Sequence, residues 1–80
     1  MTPDEIAAIV ADHALYLAER GGKQADFSGA DLSTADLTGL DLRRANFQKC
    51  NLASSLLVGA DLSGADLFQA ILAGADCTLC

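Results

Sequence analysis

Along most of this chain an apolar side chain returns every five residues. From Ala25 to Leu42 the sequence reads ADFSGADLSTADLTGLDL. Phe27, Leu32, Leu37 and Leu42 keep step, and Asp26, Asp31, Asp36 and Asp41 each stand one place ahead of them. The beat continues through Phe47, Leu52, Leu57, Leu62, Leu67, Leu72 and Cys77 without a slip. Two places before each centre comes a small or apolar residue, mostly Ala, and the fifth position is often Gly. This is the period of neither a helix nor a strand. On an α-helix, successive centres would advance by about 140° after full turns and scatter around the axis. On a flat strand an odd period would send them to opposite faces. The pattern instead requires a corner every five residues, with the small residue and the centre inward and the other three outward. Four corners close a square of about twenty residues, and squares stack at about 4.8 Å, the spacing of paired strands. Gly at the fifth position supplies the positive φ of a tight type II corner.

A coil of this length fixes which side chains stack. Phe27, Phe47 and Leu67 fall in one interior column, and Leu32, Leu52 and Leu72 in a second. Leu37, Leu57 and Cys77 form a third, with Leu42 and Leu62 in the fourth. Each is expected to face inward.

Ahead of the repeats the pattern is helical. Thr2 can act as N-cap, Pro3 takes the first helical position, and Glu5 completes a capping box. Asp4 and Glu5 face the positive end of the helix dipole. Arg20 is expected in the last turn, with Gly21 and Gly22 as the left-handed stop. Ile6, Ile9, Val10, His13 and Leu17 line one face, with Tyr16 at its margin. A short helix is marginal alone in water. Its apolar face is expected to cap the first coil, which otherwise exposes unpaired backbone.

The units ADLST, ADLTG, ANFQK, CNLAS, ADLSG and ADLFQ resemble the consensus of the pentapeptide-repeat family, A-(D/N)-L-x-x. The resemblance covers eleven units, residues 25–79. It implies an all-β solenoid: a right-handed quadrilateral β-helix of under three coils with an N-terminal capping α-helix. The segment HALYL, closed by Gly21 and Gly22, is similar to the helical preface of family members. The expected organisation is an amphipathic capping helix over 1–24 and a β-helix over 25–80.

Composition narrows the function. The net charge of −6 excludes a phosphate-binding nucleic-acid protein or a binder of anionic membranes. It suits solubility, or a basic partner such as a DNA-binding protein. The start, MTPDEIAAIV, has no basic segment ahead of an apolar run, and no apolar run is long enough to span a membrane. Three cysteines make no secreted disulfide framework. A cytoplasmic protein is expected.

Candidate chemistry is sparse. The Asp ladder could suggest acid–base or cation sites, but Asn46 and Asn51 replace Asp without breaking register, which fits a hydrogen-bonding role at corners. Cys77 and Cys80 have redox or half-zinc spacing, yet a closed zinc site needs four ligands, and the other candidates are Cys50 and His13. Cys77 stands in for a buried Leu, and Cys80 is a free terminal thiol. His13 has no nucleophile or paired carboxylate beside it and is assigned to helix packing. Arg43, Arg44 and Lys49 form a small basic spot on an outer corner. No catalytic residue, metal ligand or cofactor is expected.

The informative positions keep the beat but break its polarity. Leu56 and Ile71 stand where Asp belongs, and Val58 and Phe68 follow their centres and point outward. Ala53 and Ala73 are outward too, and Leu79 ends the last, uncapped coil. Exposed apolar surface of this kind marks interfaces. Leu56, Val58, Phe68, Ile71 and Leu79 are therefore assigned to partner binding, with a homodimer through the C-terminal coil as the expected contact. The leading reading is a non-enzymatic structural or protein-interaction module. The alternative, implied by the resemblance, is an inhibitor or protector of DNA gyrase that imitates DNA. A stack of under three coils, about 13 Å tall, is short for that purpose. A thiol enzyme using Cys77 and Cys80 is a remote third.

Overall fold

The computed structural model describes residues Met1–Cys80. Helix α1 spans Pro3–Leu17. The Thr2 hydroxyl accepts the Glu5 amide at 3.2 Å, and Glu5 accepts the Thr2 amide at 3.1 Å, closing the capping box. The helix stops earlier than the glycines suggest. Glu19 takes the left-handed conformation at φ 58°, and the amides of Glu19 and Arg20 bond back to Tyr16 and Leu15. That pair of bonds is a Schellman ending, so Arg20 lies beyond the helix rather than in its last turn. Gly22 has a different task. A Cβ there would collide with the Asp12 carbonyl, so only glycine lets the chain pass this close to α1.

From Ala25 onward the chain turns at every fifth residue. Each small residue donates its amide to the preceding centre, from Ala30–Phe27 to Cys80–Cys77, at 2.9–3.3 Å. The fifth residue has φ between 58° and 70° at every corner. Glycine fills five of these positions, while Thr34, Arg44, Lys49, Ser54, Gln69 and Leu79 hold the same conformation with a side chain. Each of the six costs about 1–2 kcal/mol, set against three inter-coil hydrogen bonds per complete unit.

Those bonds set the register. Seven parallel bridges join residues twenty apart, from Asp26–Asn46 to Leu56–Asp76. In the unit centred on Phe27, the amides of Phe27 and Gly29 donate to Asn46 and Gln48, and Asn46 donates back to Ala25, at 2.7–2.9 Å. The bridges remain isolated and none lengthens into a strand. A corner every five residues leaves too little extended chain between turns for a longer ladder.

The interior columns form as their spacing requires. The Phe27 and Phe47 rings stack at 5.1 Å. Every centre from Phe27 to Leu57 is at most 1% exposed. In the last coil the burial expected of these columns is lost. Leu62 and Leu67 are half-buried, Leu72 is 39% exposed, and Cys77 is exposed rather than buried. These side chains hold the inward register, but no further coil lies against them.

The other end is covered in part. Ile6 and His13 of α1 are buried, and Ile9 and Val10 pack on the same core. His13 does more than pack. Its Nδ1 accepts the Ala25 amide at 2.8 Å, and its Nε2 lies 2.8 Å from the Arg43 carbonyl. An accepting Nδ1 puts the proton on Nε2, so a neutral imidazole satisfies one amide and one carbonyl of the first coil. Gln24 adds a bond to the Arg44 carbonyl at 2.6 Å.

Candidate interaction surface

The aspartates serve the corners. Asp26, Asp31, Asp36, Asp41, Asp61, Asp66 and Asp76 each accept the amide two residues on, at 3.0–3.3 Å. Asn46 and Asn51 do the same. Hydrogen bonds from Ser28, Ser33, Ser63 and other neighbours hold these carboxyls below the ordinary aspartate value. The ladder is thus a row of turn caps, ionised and solvent-facing.

Arg43 of the basic spot is occupied by a two-pronged contact with Asp41, both bonds at 2.8 Å. Arg44 lies over the Tyr16 ring at 5.6 Å. The three cysteines are unpaired. Burial pushes the Cys50 thiol up to about 11, with the nearby Asp31 charge adding to the effect. Cys80 donates to the Leu57 carbonyl at 3.4 Å, and its thiol is also raised, first by desolvation and then by hydrogen bonding to Cys77. No three His, Cys, Asp or Glu side chains gather where they could hold a metal ion.

The polarity-breaking residues carry a cost that sequence reading missed. Every Asp or Asn in the ladder caps the amide two places on; Leu56 and Ile71 cannot, and the Val58 and Ala73 amides have no protein acceptor. Each loss is worth about 1 kcal/mol. In exchange the surface gains exposed apolar area: Leu56 is 43%, Phe68 63%, Ile71 53% and Leu79 85% exposed, while Val58 is half-buried. The register divides these residues. Phe68 and Ile71 flank one corner of the last coil. Leu56 and Val58 belong to a different unit of the repeat, where Leu56 pairs with Asp76 and Leu79 follows in the same unit of the last coil.

The last coil is also open in its backbone. The centre and fifth amides of its four units, Leu62 to Leu79, have no acceptor, and the Ala60, Ala65, Ala70 and Ala75 carbonyls have no donor. Among the groups that pair from coil to coil elsewhere in the stack, eight amides stand free here against four carbonyls. No helix of the protein is long and apolar enough to cross a membrane.

Residues 23–52 and 45–80 match the family model of pentapeptide repeats, in eight copies. No curated protein and no solved structure gives a match.

Proposed function

The chain belongs to the pentapeptide-repeat family, and on that premise we propose a non-enzymatic module that self-associates through its C-terminal coil. Family membership supports a structural or protein-interaction role in general terms. The twenty-residue bridge register and the corner at every fifth residue support the finer fold reading, a right-handed quadrilateral β-helix. Free thiols at Cys77 and Cys80 suit a reducing, cytoplasmic setting.

The observation that carries the proposal is the pair Leu56 and Ile71. Both forfeit a turn cap and present apolar side chains to water, a loss that a covering partner would offset. A two-fold contact is the simplest cover. Its chemistry is side chain on side chain. Two facing C-terminal ends are both rich in free amides, so their backbones cannot complete each other's ladder.

The test is a Leu56→Asp, Ile71→Asp double variant, followed by sedimentation equilibrium and urea unfolding. Restored caps should stabilise the monomer by about 1 kcal/mol each, while self-association is lost. A wild-type protein that stays monomeric at high concentration, or a variant that associates as before, would sink the proposal.

A second reading, charge mimicry of DNA against DNA gyrase, is favoured by one observation. Carboxylates recur in register along the stack, as in Asp41 over Asp61 and Asp26 over Asp66 with Asn46 between. Unchanged gyrase supercoiling under a large excess of the protein would dismiss it.

A further inference from the structure

Helix α1 covers only part of the first coil. The hydrogen bonds from His13 and Gln24 reach Ala25, Arg43 and Arg44, which share one corner of the square. The passage from Asp31 to Asp36 receives no bond from α1. Between it and the helix runs an open groove of about 690 Å³, with Ile6, Val10, Leu32 and Leu40 among its apolar lining. That volume lies within the range of sites that bind small ligands or short peptide segments.

The main chain of this passage is an unfilled edge. In the second coil, Asn51 and Leu56 turn both amide and carbonyl toward the first coil, where they pair with Ala30, Leu32, Ala35 and Leu37. Asp31 and Asp36 occupy the equivalent positions one coil earlier, so their amides and carbonyls point away from the second coil, and none has a protein partner. The Ser33 carbonyl accepts only the Thr34 hydroxyl, at 2.6 Å. Carbonyls therefore outnumber amides along the groove.

Charge has the same sign. Asp31 and Asp36 each commit Oδ1 to their turn and leave Oδ2 without a partner. No Lys or Arg lines the groove. Met1, which carries the N-terminal ammonium, is the one cationic residue in the lining.

We propose that this groove receives an extended basic peptide from a partner protein, which adds to the first coil as a further passage of backbone. Alternate side chains of an added strand point to opposite sides. One set enters the apolar lining, and the other carries Lys or Arg to the free oxygens of Asp31 and Asp36. Pairing needs free amides, so proline is excluded at those positions. The surface is separate from the last coil, and the proposal stands or falls independently of self-association.

The test titrates the full chain with a capped peptide alternating valine and arginine, reading backbone amide shifts and hydrogen exchange. The Asp31 and Asp36 amides should shift saturably and gain protection. A peptide alternating valine and glutamate should leave them unmoved. Asp31→Asn with Asp36→Asn keeps the turn caps, as Asn46 and Asn51 demonstrate, and should weaken binding roughly fivefold through two lost exposed ion pairs. Ala7→Arg, at an exposed position in the groove wall, should abolish it. Amides at Asp31 and Asp36 that do not respond, equal binding of the glutamate peptide, or shifts centred on Leu56 to Leu79 would each overturn the proposal.

Discussion

Phe27, Leu32, Leu37 and Leu42 are at most 1% exposed at one end of the stack; Leu72 and Cys77 hold the same inward positions at the other and meet solvent. The unit is the same and so is its register. What differs is the neighbour. The first coil has the second coil on one side and α1 on the other, with His13 closing an amide and a carbonyl that the missing preceding coil would have served. The last coil has only one neighbour. In a repeat architecture an interior is made jointly by adjacent units, so the same Leu is core in one place and surface in another.

Phe47→Ala removes a ring with no exposure that stacks on Phe27, and should destabilise by about 3–5 kcal/mol in urea unfolding. Leu72→Ala, on the same inward register, should cost less, about 1–2 kcal/mol, because over a third of its surface already meets water. Similar losses at both sites would mean that the ends are equally packed. His13→Ala should cost about 2–3 kcal/mol by the same assay, since it leaves the Ala25 amide and the Arg43 carbonyl unpaired. A loss near zero would show that the helix is not the cover of the first coil.

Two smaller effects sharpen the account. Ser55 stands at a small inward position, fully buried, and its hydroxyl has no partner. Ser55→Ala should stabilise the chain by about 1 kcal/mol; a loss would reveal a hidden partner for the hydroxyl. The turn carboxyls provide a pH signature. Their native values are lowered, chiefly by hydrogen bonds, so the stability they contribute is fully present above the ordinary value of 3.8 and is lost as pH falls through the lowered native values. Acid unfolding should therefore set in below pH 3.8, and Asp36→Asn should flatten the profile while keeping the turn. A profile unchanged by this substitution would contradict the role of the cap.

Much of this was legible in the sequence. The unbroken beat from Phe27 to Cys77 determined the corner spacing, the twenty-residue register and the columns, because one slip would have turned side chains out of the interior. Thr2, Pro3 and Glu5 marked the start of α1. The stop was less visible, since a left-handed Glu19 has no compositional signature and Gly21 and Gly22 drew attention past it. His13 could be placed on the apolar face, but its bonds to the coil depend on how the helix docks. Leu72 and Cys77 misled because periodicity reports direction and not what lies beyond. The forfeited caps at Leu56 and Ile71 were readable in principle: an apolar residue where Asp caps a turn leaves an amide unserved two places later. The groove beside Asp31 and Asp36 was not, because it depends on where α1 comes to rest.

Residue-resolved hydrogen exchange at the two ends of the stack tests the central claim, that α1 closes one corner of the first coil while the last coil stays open. In dilute protein the Ala25 amide, bonded to His13, should be strongly protected and should lose that protection in His13→Ala, whereas the Leu67, Leu72 and Cys77 amides should exchange at nearly free-chain rates. On concentration the latter should stay fast, because the contact through Leu56 and Ile71 is side chain on side chain and gives these amides no acceptor. An Ala25 amide that exchanges freely in the native protein, or Leu67, Leu72 and Cys77 amides that are protected in dilute solution, would contradict the account.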